Sequence, residues 1–345
     1  MGRKMGGKPV EVIYEDDGQK PDVGKQKTEK LIQSDKVDFI AGYIWSNVLL
    51  ASLKTAVDSK TFLISANAGP VAARRRTLLA LRVLDLLAER PDPAGRWALY
   101  MNQKGVKSVF LIGPNYAAGK DMLAGVKSTF KGEVDGRGIY GVAEPARLLR
   151  RTHQGARTRG AESIFVFYPG AAGVQFLNQY AQAGIKAQIP LYTAFTIDEL
   201  SLPLQKENAL GVPGAQQWVN DLPNAENKRF VEDYRKKYTG LRPTFYGAQS
   251  YDAAQLINSA VVAVKGDTCK KDEMKAEMEK ANFKSVRGPF KYGNNHIPIQ
   301  NFYLQDVVKD ADGQLALKTV ATIVKDDQDR FARQMPDEVI AALLA

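Results

Sequence analysis

The sequence has very little cysteine and histidine. Cys269 is the only cysteine in 345 residues, and the only histidines are His153 and His296. A single cysteine excludes an internal disulfide, and this supply of Cys and His side chains is too small for a structural zinc cluster. No apolar run reaches the roughly 18 residues that cross a bilayer, and the basic residues at the start precede no apolar segment. We therefore expect neither a membrane span nor a signal peptide in the sequence as written.

The length and the apolar content suit two domains. The chain is 44% hydrophobic and 25% charged, which is typical of a globular protein that buries a core. A chain of 345 residues exceeds what one ordinary core organises. Apolar runs alternate with amphipathic ones along most of the sequence, and this pattern indicates strand–helix units around mostly parallel sheets. The sequence therefore predicts a two-lobed α/β fold.

The net charge of +10 is concentrated in two arginine-rich windows, residues 71–98 and 134–160. Each window holds six arginines and no lysine, although the chain as a whole has 19 arginines and 29 lysines. The windows carry seven of the ten net charges, so the rest of the chain lacks the broad basic surface that binds nucleic acid. Out-of-frame reading of a GC-rich gene yields much arginine and little lysine. We interpret both windows as frame-shifted translations, with residues 333–345 as a third candidate; the alternative is two arginine-rich surface helices.

Hydrophobic periodicity assigns the elements. The predicted strands are residues 10–15, 37–42, 61–65, 108–113, 163–168, 189–194, 217–220, 302–304 and 317–324. The predicted helices are residues 25–33, 47–58, 119–130, 173–183, 224–238 and 249–264. A doubly wound lobe usually places its first strand at the centre of the sheet. The residues before Val10 are too few and too polar for such a strand, so we expect the first strand–helix unit of the first lobe to be missing.

Five short motifs occur in a characteristic order, at residues 14–18, 30–42, 64–70, 113–119 and 287–292. This ordered set resembles the branched-chain amino acid (Leu/Ile/Val) binding protein family, the type I periplasmic solute-binding proteins of ABC transporters. The resemblance covers about three quarters of the chain. It implies a first lobe of residues 1–93 and 221–300, and a second lobe of residues 94–220 and 301–345. It also places hinge crossovers near residues 94, 220 and 301.

The resemblance also implies a function without bond making. The two lobes would close on a solute by hinge bending, and the closed form would be recognised by an ABC transporter permease. The implied location is the periplasm, and the implied protein is a monomer that needs no cofactor and binds no nucleic acid. The solute would be an amino acid or another small carboxylate, aromatic ones included, and it would lie in the cleft between the lobes.

The first lobe offers five candidate binding residues just after two predicted strands. In this fold, helix N-termini and free amides at the carboxyl ends of strands bind anions. Ser46 and Asn47 follow the strand at 37–42, and Ser46 either caps the next helix, donates its hydroxyl to a ligand carboxylate, or does both. Asn67, Ala68 and Gly69 follow the strand at 61–65, where a simple turn is equally compatible. The resemblance implies that both places contact the ligand carboxylate.

The second lobe and the segment around the start of the helix at 249–264 supply the remaining candidates. These are Tyr116, Tyr168, Ala171, Thr193, Ala194, Phe195 and Tyr246, with Gln249 as a weaker candidate that also fits a helix start. Tyr168 is equally compatible with a core or rim position. Phe195, Tyr246 and Trp45 would form either an aromatic wall or ordinary core.

Ala194 bears on the identity of the solute. It stands where amino acid receptors of the family carry a carboxylate that pairs with the ammonium of the ligand. A buried ammonium without a counter-charge is strongly unfavourable, so an aromatic acid without an amine competes with an amino acid as the solute. Asp198 is close enough in sequence to supply the missing charge.

An enzyme would need a base, a nucleophile or a metal site. The sequence has no Gly-x-Ser-x-Gly elbow, no Walker loop and no Gly-x-Gly-x-x-Gly after a strand. His153 lies inside an arginine-rich window, and His296 lies in a turn where an exposed loop role is the simpler interpretation. We therefore expect no enzymatic activity; the alternative is an α/β enzyme or a ligand-sensing domain on the same fold.

Overall fold

Strands and helices alternate along the chain. The computed structural model describes residues 4–70, 83–85, 93–140, 160–239, 241–293, 296–311 and 313–328. In these ranges the strands are β1 (Lys4–Met5), β2 (Lys8–Pro9), β3 (Phe39–Gly42), β4 (Phe62–Ser65), β5 (Val83–Asp85), β6 (Ser108–Pro114), β7 (Glu133–Tyr140), β8 (Ile164–Val166), β9 (Leu191–Ala194), β10 (Gly214–Gln216), β11 (Lys291–Tyr292), β12 (Pro298–Lys309) and β13 (Leu315–Asp327). The helices are α1 (Pro21–Gln33), α2 (Ser46–Asp58), α3 (Pro93–Gln103), α4 (Ala117–Thr129), α5 (Ala171–Gln182), α6 (Leu202–Gln205), α7 (Ala225–Lys237), α8 (Phe245–Ala263) and α9 (Lys271–Glu279).

In the described residues, two larger sheets and the antiparallel pair β1-β2 organise these elements. The smaller sheet has the order β3-β4-β5 and is parallel throughout. The larger sheet has the order β7-β6-β8-β9-β10 with all neighbours parallel. It continues with β12, which is antiparallel to β10 and also pairs with β11 and β13. The fold is therefore α/β with mostly parallel sheets, as the sequence predicts.

Each of the two larger sheets buries side chains on both of its faces. In β6, Val109 and Leu111 belong to one apolar cluster, while Phe110 and Ile112 belong to another. Successive side chains of a strand point to opposite faces, so the alternation places helices on both sides of the sheet. In β4, Leu63 likewise packs with α2 on one face, and Phe62 and Ile64 pack with α8 and α9 on the other.

Most predicted elements are present, with ends that shift by a few residues. Residues 217–220 are not a strand; the strand β10 lies just before them, at 214–216. Helix α9 has no counterpart among the predictions because its sequence is mostly charged, and only Met274 and Met278 are buried. The short strand β11 is also new.

The strand predicted at 10–15 is wrong. No strand is assigned between Val10 and Glu15, and Val12 and Tyr14 are 60% and 88% exposed. A strand needs a hydrogen-bonded neighbour, and among the described residues β3 pairs only with β4. This segment therefore has the alternating pattern of a strand but does not form part of a sheet.

Parts of the arginine-rich windows lie within the described residues and are integrated into the fold. Arg96 binds the buried Asp327 through two contacts, Nε–Oδ2 at 2.9 Å and Nη2–Oδ1 at 2.6 Å. Strand β7, in the second window, pairs with β6. Of the two windows, the structure describes residues 83–85, 93–98, 134–140 and 160. The rest of both windows and residues 333–345 lie outside the described ranges. The frame-shift interpretation therefore stays a prediction.

We predict that Trp97→Ala lowers the free energy of unfolding by about 3–5 kcal/mol. Trp97 is fully buried, its Nε1 donates to the Thr193 carbonyl at 2.8 Å, and its ring meets Tyr192 edge-on. Tyr14→Ala is the matched control, because this exposed ring should contribute less than about 0.5 kcal/mol. Urea denaturation of both variants measures the difference, and equal losses would contradict this assignment of the core.

Candidate functional site

The segments that follow β3 and β4 are held directly against each other. The Ala66 amide donates to the Gly42 carbonyl at 2.7 Å, and the Ala68 amide donates to the Tyr43 carbonyl at 2.9 Å. The Asn67 side chain adds a bond from Nδ2 to the Ile44 carbonyl at 3.1 Å. The structure therefore brings together the two first-lobe segments that the sequence singles out.

Ser46 does not cap its helix. Helix α2 starts at Ser46 itself, the preceding Trp45 occupies the N-cap position, and no side chain bonds to the first turn. The Ser46 hydroxyl is buried and has no hydrogen-bond partner among the described residues, and the same holds for Asn47 Oδ1. A buried hydroxyl without a partner is unfavourable, so the arrangement suits a ligand that accepts a hydrogen bond.

Helix starts at this edge of the sheets differ from a helix start elsewhere. Helices α2, α4 and α5 each begin without a side-chain cap and without an acidic residue in the first turn. Helix α7, by contrast, is capped by Asn224 and carries Glu226 in its first turn. Helix N-termini carry partial positive charge and free amides. The uncapped starts therefore favour a negatively charged ligand.

Six aromatic side chains form a continuous series of ring contacts across the two sheets, which we call the ring cluster. The successive centroid distances are 5.6, 6.5, 6.3, 5.3 and 4.0 Å along Trp45, Tyr116, Phe167, Phe195, Phe245 and Tyr246. Trp45 follows β3 of the smaller sheet, whereas Tyr116, Phe167 and Phe195 follow strands of the larger sheet. The ring cluster therefore spans the boundary between the two sheets at their carboxyl edges.

Tyr168 lies in the core rather than in the ring cluster. Its ring stacks on Phe176 at 6.0 Å, and its amide donates to Thr196 Oγ1 at 3.0 Å. Phe167, one residue earlier, points to the opposite face and contacts Tyr116 and Phe195. The alternation of β8 decides which of the two rings faces the cluster. The sequence analysis missed Phe167, although a period of two counted from Phe165 would have indicated it.

The residues at the end of β9 and just after it have different roles. Thr193 Oγ1 donates to the Pro213 carbonyl at 2.9 Å, so this hydroxyl serves the sheet, and Ala194 is buried next to it. Phe195 has φ = +54°, a left-handed conformation that is uncommon for a non-glycine residue. Tyr43, just after β3, has φ = +63°. Such conformations cluster at binding sites, where the surrounding structure enforces them.

Ala171 is the first residue of α5 and is exposed. The helix starts close to the end of β8 because Gly173 allows it: a Cβ atom on Gly173 would lie 2.1 Å from the Tyr168 carbonyl oxygen. Gly119 does the same for α4, where the distance to the Pro114 carbonyl oxygen would be 2.0 Å. Both glycines hold helix N-termini against the carboxyl ends of strands.

Two acidic residues follow β9. Asp198 Oδ1 accepts hydrogen bonds from the amides of Leu200 at 2.9 Å and Ser201 at 2.7 Å, so it closes a local turn. Glu199 accepts a bond from Asn220 Nδ2 at 3.3 Å, and its Oε2 has no partner among the described residues. Burial raises the pKa of Glu199 to about 8. Its carboxyl group is therefore largely neutral at pH 7, a property that the sequence alone does not reveal.

Two further polar groups are buried near these elements. Gln249, in the first turns of α8, has no hydrogen-bond partner for either amide atom among the described residues. Arg287 binds Asp252 at 3.0 Å and Gln300 at 2.8 Å. It borders a separate cavity of about 190 Å³ that Gln217 and Tyr303 also line.

His296 lies beside a carboxyl group. His296 Nε2 lies 2.8 Å from Glu279 Oε1, and its side chain is only 15% exposed, so it is more buried than the predicted exposed loop residue. Although Glu279 is partly buried, hydrogen bonds from His296 and Lys275 lower its pKa to about 2. The pair therefore links α9 to the 296 turn. His153 lies outside the described residues, and within those residues no group of three acidic, His or Cys side chains could hold a metal ion.

Comparison with known proteins identifies the family. A family model described as a periplasmic binding protein matches residues 2–314. The chain belongs to the periplasmic binding protein family.

Three relatives of this family member illustrate the similarity. Leu/Ile/Val-binding protein homolog 6 of Brucella melitensis is 28% identical over 339 residues, which cover 94% of this chain and 84% of that relative. A solute-binding protein of an ABC transporter from R. palustris, solved in complex with benzoate, is 29% identical with a TM-score of 0.86, covering 95% of this chain and 89% of the other. Another from Rhodopseudomonas palustris BisB5, in complex with 3,4-dihydroxybenzoic acid, is 29% identical with a TM-score of 0.84, covering 96% and 90%.

These similarities give the chain the two-lobed type I fold and the function of a solute-binding protein for an ABC importer. The family implies a location outside the cytoplasm. Among the described residues, no helix combines the length and the apolar character needed to cross a membrane.

We predict that Ser46→Ala leaves the free energy of unfolding unchanged or slightly higher, because the variant removes a buried hydroxyl that has no partner in the described structure. A capping serine would instead cost about 0.5–2 kcal/mol when replaced. The control is Asn224→Ala, which removes a real cap, since Asn224 Oδ1 accepts from the Asn227 amide at 2.9 Å. Urea denaturation separates the two cases, and a loss at Ser46 equal to that at Asn224 would restore the capping interpretation.

We also predict a pH dependence from Glu199. Its folded pKa of about 8 lies above the ordinary value of 4.5, so the folded state binds the proton more tightly than the unfolded state. The resulting stability is complete below pH 4.5 and is lost as the pH rises to about 8, with a slope of at most about 1.4 kcal/mol per pH unit.

The Glu199→Gln variant should lose this dependence and should be more stable than the wild type at pH 8. Thermal melts between pH 5 and pH 8 measure the difference. Glu232→Gln, which removes an exposed carboxyl group, is the control. Parallel pH curves for the wild type and Glu199→Gln would show that Glu199 titrates normally.

Proposed function

We propose that this protein binds an aromatic carboxylate between its lobes and delivers it to an ABC transporter permease. The observation that supports this most directly is the position of the Ser46 hydroxyl, which has no hydrogen-bond partner in the described part of the chain, beside Trp45, the first ring of the ring cluster. One end of the site offers hydrogen-bond donors to an anion, and the other offers aromatic surface. A benzoate-like molecule has these two features at its two ends.

The donors for the carboxylate come from the start of α2. Ser46 Oγ and the free amides of the first helical turn lie together, and no acidic side chain competes in that turn. Carboxylates bind well at such helix starts because the amides and the helix dipole both favour negative charge.

The ring of the solute would lie among the aromatic side chains of the cluster. Aromatic pairs prefer offset-stacked or edge-to-face contacts at centroid distances of about 4.5–7 Å, and four of the five contacts in the cluster fall in this range. Since these rings contact one another, a solute ring would enter by separating the two lobes and then replacing ring–ring contacts by ring–solute contacts.

An amino acid would need a counter-charge for its ammonium group. Ala194 supplies none, and Asp198 is engaged in its own turn. Glu199 is largely neutral at pH 7 because of its raised pKa. Charge therefore favours a carboxylate without an amine. The relatives solved with benzoate and 3,4-dihydroxybenzoic acid support the same class of solute.

We propose the lobe boundaries of the sequence analysis for the closing movement. The first lobe comprises residues 1–93 and 221–300, and the second comprises 94–220 and 301–345. Asn220, at one crossover, binds Glu199, and the pairing of β12 with β13 is irregular around residue 301. Irregular pairing weakens a ladder locally, which suits a hinge.

The cellular role follows from this movement. When the lobes close on a solute, surfaces of both lobes take up one fixed relative orientation. A permease can recognise that orientation. We propose that the protein acts as a monomer in the periplasm and carries out no catalysis.

The test is titration calorimetry with benzoate and with leucine. We predict saturable benzoate binding that is at least about tenfold tighter than leucine binding, and a loss of about tenfold in benzoate affinity in Ser46→Ala, because one charge-assisted hydrogen bond is removed. Tyr14→Ala, far more exposed, is the control variant and should bind normally.

Tighter binding of leucine would favour the amino acid alternative, which the relationship to a Leu/Ile/Val-binding protein homolog supports. Chemical conversion of the bound compound, followed by chromatography, would favour the enzyme alternative. Binding of neither leucine nor benzoate nor a hydroxylated benzoate would contradict the proposal.

A further inference from the structure

Gln249 is a buried polar side chain in an apolar stripe. It is 1% exposed, and neither Oε1 nor Nε2 has a hydrogen-bond partner among the described residues. The stripe runs along α8 at helical spacing through Phe245, Gln249, Ala253, Leu256 and Ala260, and all five are buried. Burying an amide without hydrogen-bond partners costs the full desolvation free energy of its two polar atoms. Such a group in a native structure calls for an explanation, and a bound ligand that pairs with it is one.

The position of Gln249 follows from the two ends of this stripe. Phe245 belongs to the ring cluster, with its centroid 5.3 Å from that of Phe195. Ala253 and Leu256 belong to the apolar cluster under the smaller sheet, together with Phe62 and Ile64. Residues four apart on a helix lie on the same face, so Gln249 lies one turn beyond Phe245, between the ring cluster and that core.

Neighbouring polar groups on α8 are engaged elsewhere. The Asp252 carboxylate accepts from Ser285 Oγ at 2.7 Å, from the Val286 amide at 3.0 Å and from Arg287 Nε at 3.0 Å. Ser250 Oγ donates to the Tyr246 carbonyl at 2.9 Å. These groups therefore do not satisfy the Gln249 amide.

We propose that Gln249 binds hydroxyl groups on the ring of the solute, so that the preferred ligand is a hydroxylated aromatic acid. A ring hydroxyl can donate to Oε1 or accept from Nε2, and two adjacent hydroxyls can do both at once. The carboxylate would lie at the start of α2, and the substituted end of the ring would face α8. This inference rests on the proposed function, because it requires an aromatic carboxylate in the ring cluster.

The consequence is discrimination against the unsubstituted acid. A site built to hydrogen-bond a hydroxyl binds the analogue without it poorly, because the buried polar group is then left unpaired. Benzoate would leave the Gln249 amide without a partner, whereas 4-hydroxybenzoate would satisfy one atom and 3,4-dihydroxybenzoate both.

The experiment is titration calorimetry of the wild type and Gln249→Met with benzoate, 4-hydroxybenzoate and 3,4-dihydroxybenzoate. Methionine keeps an unbranched side chain of similar length and removes the amide. The wild type should bind 3,4-dihydroxybenzoate at least about tenfold more tightly than benzoate. In Gln249→Met this preference should fall to less than about threefold, with benzoate affinity unchanged or improved.

A thermal melt of the unliganded proteins is the second readout. Gln249→Met should melt at the same or a higher temperature than the wild type, because it removes an unpaired buried amide. A melting temperature several degrees lower would show that the amide has a partner within the protein, and this would overturn the inference.

The binding data also separate the two proposals. If benzoate binds but the hydroxylated acids bind no better, or if their advantage persists in Gln249→Met, the role of Gln249 is overturned and the proposed function stands. If the wild type binds none of the three acids, the proposed function fails, and the inference fails with it.

Discussion

The carboxyl ends of parallel strands lie at one edge of a sheet, and the helices that follow the strands begin at that edge. In this protein the constraint operates twice, once in the sheet β3-β4-β5 and once in the sheet that includes β6, β8 and β9. The two edges meet where Trp45 contacts Tyr116. Every candidate feature of the site, from the Ser46 hydroxyl to the ring cluster, depends on this meeting of strand ends.

The site includes buried polar groups that have few hydrogen-bond partners in the described structure. Among the described residues the Ser46 hydroxyl and the Gln249 amide are buried without hydrogen-bond partners, and burial raises the pKa of Glu199 to about 8. Phe195 and Tyr43 adopt left-handed backbone conformations. Each of these features is unfavourable alone, and the packed helices and sheets around them hold them in place. A solute that pairs with these groups therefore gains binding energy from groups that are already ordered.

The sequence predicts much of this arrangement because strand ends and helix starts have local signals. The positions of Ser46 and Asn67 follow from apolar runs that stop before polar or small residues. The order of motifs predicts the family, which the comparison confirms. Phe167 was missed because two adjacent aromatics compete for one face and only the register of β8 decides between them.

Other features could not be read from local patterns. Burial of Glu199 depends on Asn220 and on neighbouring elements that are distant in sequence. The isolated state of Gln249 depends on where Asp252 finds its partners, more than 30 residues away. The segment 10–15 has the alternation of a strand, but a strand forms only where a neighbour pairs with it. Long-range contacts therefore decide both the chemistry of the site and the failure of the strand prediction at 10–15.

The most direct measurement is a crystal structure of the protein with bound benzoate. If the site lies where we propose, the carboxylate of benzoate lies within hydrogen-bond distance of Ser46 Oγ and the first amides of α2. Its ring contacts Trp45 and Phe195. A benzoate molecule bound elsewhere, such as in the cavity beside Arg287 and Tyr303, with Ser46 still unpartnered, would contradict it.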